Sequence, residues 1–210
     1  MSDLLSLKGR FVHLLPIGVD HIEGLLEAAT EDRWTYAYTS VPWDRETMTD
    51  YVNKAVARRD SGEQYPFVIF SVDRQRIVGS TRFYELTPWD WSFVFPGSEV
   101  HQRHGRPDVA SIGYTWLSPS SQRTPVNTEA KLLMMAHAFD HWEVRAVRIQ
   151  TDARNDRSRA AIERLGCRLD GVIRADKPGA DGTGRHSAVY SMLAGEWPAN
   201  RQRLAKRLAG

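Results

Sequence analysis

The sequence predicts a single domain built on one mixed α+β (or α/β) sheet, and three observations support this. The 210 residues are 41% hydrophobic, which is enough for one sizeable core. Short β-branched and aromatic runs alternate with stretches of helical periodicity, in the order β-α-α-β-β-β-α-β-α-β-β-α. No charged or Pro/Gly-rich linker divides the chain, so we expect one domain over residues 1–210.

The composition excludes several classes of protein. The chain has 28 Lys and Arg against 26 Asp and Glu, and its net charge of +2 is too small for a general nucleic-acid binder. Cys167 is the single cysteine, which excludes an intrachain disulfide framework and fits a reducing, cytoplasmic compartment. The first 20 residues lack a basic segment followed by a long apolar one. We therefore expect no signal peptide, no membrane span and no membrane or nucleic-acid partner.

The N-terminal part predicts a strand, two helices and a strand pair. Asp20 is expected to begin the first helix, because Asp20 and Glu23 resemble a capping box and apolar residues follow at helical spacing. Asp44 caps the second helix, which Ser61 and Gly62 end. Two aromatic and β-branched runs around the polar DRQR predict a hairpin. The predicted bounds are strands at 11–15, 66–72 and 77–86 and a second helix at 45–59.

Residues 87–108 form a different kind of segment. They contain three Pro, two Trp and two Phe, and they have neither helical nor strand periodicity. The segment is longer than most loops in a compact domain, so we expect it to be functional or mobile.

The C-terminal part alternates strands with helices. A helix is predicted at 127–142, and another at 154–165 ends at Gly166, a residue type favoured in left-handed helix caps. A basic amphipathic helix at 197–208 follows. In the helix at 127–142, the expected buried stripe is Leu132, Met135, Ala136 and Phe139. Strands are predicted at 110–117, 146–151, 167–175 and 187–193.

Two stretches suggest a binding site for an anionic ligand. The loop at 120–128 supplies small residues, hydroxyls and Arg123 before a helix, whose first free N–H groups suit a phosphate. An ordinary connecting loop is the alternative. In the second stretch, TDARNDRSRAAIERLGC, the Asn155 amide follows a strand and Ser158 lies on the inward helix face. A serine bonded to the carbonyl one turn back is the alternative there.

Taken together, these stretches resemble the GNAT superfamily of acyl-CoA-dependent N-acyltransferases, in its RimJ/RimL-like branch. Residues 122–127 (QRTPVN) occupy the slot of the branch's Q/R-x-x-G-x-G/A loop, and residues 128–130 match its T-E-A helix start. Asn155, Ser158 and the pair Leu165-Gly166 match its N-x-x-S and L-G signature. Further matches in chain order are Ile77-Val78-Gly79-Ser80, Ile112-Gly113-Tyr114, Val189-Tyr190-Ser191-Met192-Leu193 and Glu196-Trp197-Pro198.

The resemblance implies a fold and a reaction. The fold is a single GNAT-like domain whose central mixed, mostly antiparallel twisted sheet of about seven strands is flanked by helices. The reaction is acetyl-CoA-dependent N-acetylation of a primary amine, by direct attack in a ternary complex and without a metal. The acceptor is a protein N-terminus, or a small amine or amino acid. The alternatives are a catalytically silent CoA-binding module and a transferase that uses another acyl-CoA, such as succinyl-CoA.

The resemblance also implies roles for individual residues. Ser158 would protonate the departing thiolate, and Glu85, Asp108, Tyr114 or a water chain would take the proton of the ammonium. The residues implied in CoA binding are Trp116, Leu117, Ser118, Gln122, Arg123, Thr124, Pro125, Val126, Asn127, Thr128, Asn155 and Ser158. The implied acceptor side contains Trp34, Tyr36, Tyr84, Trp89 and Trp91.

The sequence departs from the branch at several of these positions. Pro125 replaces the usual loop glycine and lacks an N–H group, and Asn127 stands where Gly or Ala is usual. Ile162 replaces a tyrosine proton donor that many members have, and Ser111 replaces a glutamate base. The segment 87–108 looks like an insertion, either a lid or wall over the substrate or a homodimer contact or self-packed flap. His137 and His141 have a zinc-compatible spacing, but a solvated helix edge is the preferred interpretation.

Overall fold

The computed structural model describes residues 4–95, 97 and 105–210. Its strands are β1 (Leu7–Lys8), β2 (Val12–Pro16), β3 (Tyr65–Ser71), β4 (Arg76–Thr87), β5 (Val109–Leu117), β6 (Ala146–Asp152), β7 (Arg168–Pro178) and β8 (Gly184–Leu193). Its α-helices are α1 (Ile22–Thr30), α2 (Arg45–Asp60), α3 (Pro125–Ala136), α4 (Asp156–Leu165) and α5 (Trp197–Ala209). None of the described helices is long and apolar enough to cross a membrane.

All eight strands belong to one sheet, in the order β1-β2-β3-β4-β5-β6-β8-β7. Neighbouring strands pair antiparallel except β5 and β6, which pair in parallel. The predicted α+β class and mostly antiparallel sheet are thereby confirmed. The two-residue β1 is an addition to the seven predicted strands, because two residues carry no readable alternation.

The parallel pairing of β5 and β6 is short. It joins Val109–Ser111 to Ala146–Arg148. Beyond these residues β5 remains paired with β4 and β6 remains paired with β8. The two central strands therefore separate towards their C-terminal ends, and the sheet opens there.

Helices cover both faces of the sheet because successive strand residues point in opposite directions. Val68 packs with Leu25 of α1 and Met48 of α2 in one cluster. Its neighbours Phe67 and Ile69 pack in a second cluster, which includes residues of α3, α4 and α5. Helices α3 and α4 consequently lie on the same face, opposite α1 and α2.

Helix caps account for several element boundaries. Asp44 Oδ1 accepts the N–H of Thr47 at 2.8 Å, as the predicted cap of α2 requires, and Gly166 has a left-handed φ of 98°. The predicted start of α1 at Asp20 is wrong. A 3₁₀ turn (Val19–His21) precedes the helix, and the Gly18 N–H donates to His21 Nδ1 at 3.0 Å.

Two further helix starts differ from the prediction. Helix α3 begins at Pro125, two residues early, because proline fits the first helical position, where no N–H is needed. Helix α4 begins at Asp156, since Asn155 serves as its N-cap.

The buried face of α3 differs from the apolar stripe predicted for it. Its buried residues are Val126, Glu129, Ala130, Lys131, Met134 and Met135, whereas Leu132 and Ala136 are half-buried. Met135 and Phe139 of the predicted stripe are buried, but the prediction missed Glu129 and Lys131, because helical periodicity assigns ionisable side chains to the solvent. The Glu129 carboxylate accepts three backbone N–H groups, those of Arg10 (2.9 Å), Phe11 (2.6 Å) and Val12 (2.8 Å). It thereby fixes α3 to the start of β2.

Candidate functional site

A cavity of about 1170 Å³ lies where β5 and β6 separate. We call it the cleft. It is lined by the C-terminal halves of β5 and β6, the first two turns of α3, and side chains of α4 and α5. Because the sheet itself opens, strand backbone that would otherwise be hydrogen-bonded to a neighbouring strand faces this space.

The β5 wall of the cleft is distorted by a bulge. The register with β4 shifts between Ser80 and Arg82, and Tyr114 takes a left-handed φ of 51°. After the bulge, the Ser118 N–H donates to Val78 O at 2.7 Å. Because backbone directions alternate along an antiparallel strand, Leu117 points its N–H and C=O away from β4, to the side of the cleft.

The carbonyl of Leu117 is already occupied. It accepts hydrogen bonds from Tyr36 Oη and Gln122 Nε2, both at 3.1 Å. Gln122 also bonds Thr35 and accepts from Arg157 Nη1 at 3.0 Å. Gln122 thus joins β5 to the turn at Arg33–Tyr36 and to α4, a structural role that leaves its amide little freedom for a ligand.

The N-terminus of α3 meets the cleft at one end. Thr124 caps the helix, with its Oγ1 accepting from the Val126 N–H at 3.4 Å, and Pro125 occupies the first position. Asn127 and Thr128 follow in the first turn and line the cleft. Asn127 Oδ1 is buried without a hydrogen-bond partner among the described residues. A helix N-terminus beside an unpaired acceptor suits an anionic ligand that also carries donors.

Helix α4 forms the opposite wall. Asn155 Oδ1 accepts the Ser158 N–H at 3.0 Å, so the predicted ligand-binding amide is also the helix cap. Asn155, Ser158 and Ile162 all line the cleft. Ser158 Oγ makes no hydrogen bond within the described part of the chain, which argues against the alternative of a serine bonded to the preceding turn.

Lys131 is a site residue that the sequence analysis missed. Its side chain lies in α3, is buried and lines the cleft. Its Nζ donates to Thr81 Oγ1 at 3.0 Å and to Thr115 Oγ1 at 2.6 Å. Burial lowers the pKa of this amine to about 7. A lysine in an amphipathic helix is normally expected in solvent, so no sequence signal separated it from the surface lysines.

A group of aromatic side chains lines the cleft on the β4 side. Tyr84 and Tyr114 contact edge to face, with ring centroids 5.3 Å apart, and Tyr36 lies nearby in the lining. Burial raises the pKa of Tyr84 to about 12. The Arg82 guanidinium lies over the Tyr114 ring, 4.1 Å from its centroid. Tyr114, which is 46% exposed, can therefore contact an incoming molecule.

The two predicted carboxylate bases have different environments. Glu85 accepts a hydrogen bond from Ser111 Oγ at 3.0 Å, so a carboxylate lies beside the position where a glutamate was expected. Glu85 is exposed at the edge of the cleft and is not part of its lining. Asp108 is buried, and it accepts from Arg145 Nε and from the Trp89 N–H, both at 2.8 Å. Because these bonds hold the buried Asp108 carboxylate in place, we assign it a structural role and not that of the base.

The structure corrects the predicted acceptor wall. Trp34 is 92% exposed and does not line the cleft. Trp89 and Trp91 pack against the Arg145 guanidinium, 5.3 and 4.9 Å from their ring centroids, at the end where β5 and β6 are still paired. The wall prediction is therefore wrong for these tryptophans. Residues 96 and 98–104 of the proposed insertion lie outside the described residues.

Two residues of the predicted CoA loop do not line the cleft with their neighbours. Ser118 is buried and donates to Ser121 Oγ at 3.2 Å, and the Val126 side chain packs in the core. The remaining residues predicted for CoA binding all line the cleft. His137 and His141 have ring centroids 5.2 Å apart, and no metal-binding group of three His, Cys, Asp or Glu occurs among the described residues.

Comparisons with known proteins agree with this architecture. The family model of the acetyltransferase (GNAT) domain matches residues 12–168. The probable N-acetyltransferase YjcK of Bacillus subtilis is 23% identical over 177 residues, which are 80% of this chain and 86% of that protein. A GCN5-related N-acetyltransferase from Brucella melitensis superposes with a TM-score of 0.80 at 25% identity, over 98% of this chain and 86% of its own. The ribosomal L7/L12 α-N-protein acetyltransferase RimL shares the fold, with a TM-score of 0.73 at 17% identity, over 90% and 94% of the two chains.

Proposed function

The chain belongs to the acetyltransferase (GNAT) family, and from that premise we propose that it is a RimJ/RimL-like N-acetyltransferase, a single domain that transfers acetyl from acetyl-CoA to a primary amine. The acceptor class is a protein N-terminus or a small amine or amino acid. The observation that carries the proposal is the cleft, which combines free strand backbone, a helix N-terminus and an unpaired acceptor in one space.

The residues at the mouth of the cleft suit the diphosphate of CoA. The backbone N–H groups in the first turn of α3 and the partial positive charge of the helix end favour an anion. Pro125 contributes no N–H and the Thr128 N–H donates within the helix to the carbonyl of the capping Thr124, so the N–H of Asn127 and the exposed Arg123 carry this role. The Asn127 Oδ1 atom then accepts a donor from the bound molecule, which satisfies an otherwise unpaired buried oxygen.

The β5 wall suits the pantetheine arm and the thioester. The Leu117 N–H points into the cleft and would donate to the thioester carbonyl, where negative charge develops during attack. Trp116 Nε1 is buried without a partner in the described residues and is a further donor on this wall. Holding the thioester and the amine together makes the reaction effectively unimolecular.

Two groups would handle the protons. Glu85, which Ser111 orients at 3.0 Å, would accept the ammonium proton through water, since it lies at the edge of the cleft and not within it. Ser158 lines the cleft from α4 with a free hydroxyl and would contact the leaving sulfur. The C–N bond forms as the C–S bond breaks, and CoA leaves as the thiol.

The first experiment measures acetyl-CoA binding by isothermal titration. Arg123→Ala should weaken binding of acetyl-CoA but not of acetyl-pantetheine, which lacks the diphosphate, and the exposed Arg58→Ala is the matched control. Equal loss for both ligands would contradict the diphosphate site. An absence of acetyl-CoA binding at millimolar concentration would overturn the proposed function.

The second experiment measures CoA thiol release over a panel of peptides, polyamines and amino acids. Release that depends on the amine supports the transferase, whereas binding without release over the whole panel identifies a CoA-binding module. Ser158→Ala should lower kcat by ~100-fold, in the range of one proton-transfer group, with little change in acetyl-CoA affinity. Ser6→Ala, at an exposed position near the N-terminus, is the control.

A further inference from the structure

We propose that Lys131, acting through the hydroxyl of Thr115, supplies the proton that the departing CoA thiolate takes up. This inference rests on the proposed function and refines it: Ser158 holds the leaving sulfur by a hydrogen bond, whereas the proton that the sulfur keeps comes from α3, a task that many family members give to a tyrosine of α4. Here that position is Ile162, which lines the cleft without a proton to give.

Lys131 lies beside the segment of β5 that would hold the thioester. It lines the cleft from α3, on the same face of the sheet as Ser158 and Ile162 of α4. Its hydrogen-bond partner Thr115 belongs to the bulged part of β5, two residues before Leu117, whose N–H would hold the thioester carbonyl. The amine is therefore placed beside the strand segment where the C–S bond would break.

The hydrogen-bond partners of the Lys131 amine are hydroxyl groups. Thr81 of β4 and Thr115 of β5 face its Nζ, and their hydroxyls are 2.8 Å apart. The titratable group that acts on it from a neighbouring element is the thiol of Cys167, whose pKa burial raises to about 12, so that it is neutral at physiological pH. No ion pair of Lys131 occurs within the described part of the chain.

This environment distinguishes Lys131 from a structural lysine. A buried lysine that only fills space is normally paired with a carboxylate, because an uncompensated buried charge is costly. Lys131 instead has hydroxyl partners and a pKa of about 7, which lets it hold or release a proton near neutral pH. Such a group can donate a proton at the operating pH and take up another from water between turnovers.

The proton transfer is coupled to cleavage of the C–S bond. As the amine nitrogen bonds to the acetyl carbon and the C–S bond breaks, the sulfur receives the electron pair of that bond and the nitrogen releases its surplus proton to water. Thr115 Oγ–H donates its proton to the sulfur, and the Lys131 ammonium returns a proton to the Thr115 oxygen. Lys131 is then neutral and takes up a proton from water before the next cycle.

The test begins with a readout that does not depend on turnover. CoA is bound to the wild type, Lys131→Met and Thr115→Val, and its thiol is titrated by ultraviolet thiolate absorbance. The proposal predicts that Thr115→Val raises the pKa of the bound thiol by about one or more, because the thiolate loses the hydroxyl that donates to it; Lys131, whose pKa is about 7, is already neutral where the thiol titrates. An unchanged thiol titration in Thr115→Val would overturn the proposal.

The second readout is the pH dependence of kcat. In the wild type kcat should fall as the pH rises through about 7, where Lys131 loses its proton. In Lys131→Met and Thr115→Val, kcat should not fall with pH in this range. It should be lowered on the order of 100-fold, with CoA affinity unchanged. The proposal would be contradicted if kcat still fell with rising pH in both variants. It would also be contradicted if the wild-type kcat rose with pH because Lys131 acts as a base.

The variants also separate this inference from the proposed function. If the wild type binds CoA and releases thiol but both variants match it, the assignment of Lys131 fails and the transferase stands. If the wild type does not bind CoA, the assignment of Lys131 and the proposed function both fail. Thr115→Val keeps the volume of the side chain, so it remains informative if Lys131→Met does not fold.

Discussion

Replacing Lys131 by methionine should change stability in a manner that depends on pH. The amine is buried under Thr81 and Thr115, and its pKa in the folded protein is lowered from 10.5 to about 7 by burial. In the unfolded chain the amine is hydrated and keeps its proton up to its ordinary pKa. Between these two values the unfolded chain binds a proton that the folded protein has released.

The magnitude follows from this difference in bound protons. Each pH unit in that interval adds about 1.4 kcal/mol to the free energy of unfolding of the wild type. The folded-state pKa is below the unfolded one, so this stability is gained as the pH rises and is absent below pH 7. From pH 7 to pH 9 the wild type should gain about 2 kcal/mol relative to Lys131→Met, allowing for half-protonation at pH 7.

The assay is urea-induced unfolding of both proteins at pH 7 and pH 9. The two hydrogen bonds lost in Lys131→Met cost about 1 kcal/mol each and affect both pH values alike, so the comparison cancels them. Lys54→Met is the control, since Lys54 is exposed in α2 and its replacement should act equally at both pH values. A stability difference between wild type and Lys131→Met that does not change with pH would refute the reasoning.

Three further predictions concern the sheet and the proton acceptor. Glu129→Ala leaves three backbone N–H groups of residues 10–12 without their acceptor and should lower the free energy of unfolding by roughly 3 kcal/mol, measured by urea unfolding. Gly79→Ala would place a Cβ atom 2.0 Å from the Trp116 carbonyl oxygen, so β4 and β5 must shift and both the melting temperature and acetyl-CoA affinity should fall. Glu85→Gln keeps an acceptor for Ser111 but removes the base, and it should lower kcat on the order of 100-fold at unchanged acetyl-CoA affinity.

Two of these predictions have a matched control variant, and the third has a decisive outcome. Glu46→Ala changes an exposed glutamate of α2, and a loss as large as that of Glu129→Ala would show that the buried bonds are not the cause. Gly184→Ala adds a Cβ into open space in β8, and wild-type affinity in Gly79→Ala would contradict the close contact. Full activity in Glu85→Gln would exclude that carboxylate as the base.

Local signals predicted much of the fold. The Asp44 cap, the hairpin of β3 and β4 and the left-handed Gly166 depend on residues close together in sequence, and the structure confirms all three. The order of weak motifs predicted the family, and most of the residues predicted to bind CoA line the cleft. These features could be read because each combines a residue type with a short-range physical requirement.

Tertiary contacts explain what the sequence did not reveal. Trp89 was predicted to form a substrate wall, but it is held by Asp108, at the far end of the same segment, and by Arg145, which lies outside the segment. Lys131 could not be distinguished from a surface lysine, because its two threonine partners lie on strands of the sheet and not in its own helix. Neither set of contacts can be derived from periodicity, which assigns lysines to the solvent and carries no information about aromatic residues in loops.

The most direct test of the account is a crystal structure of the protein with CoA. We expect the pantetheine arm between β5 and β6, the diphosphate at the backbone N–H of Asn127 and the side chain of Arg123, and the sulfur within reach of Ser158 and Thr115. A CoA molecule bound outside the cleft, or a diphosphate away from the N-terminus of α3, would contradict the account.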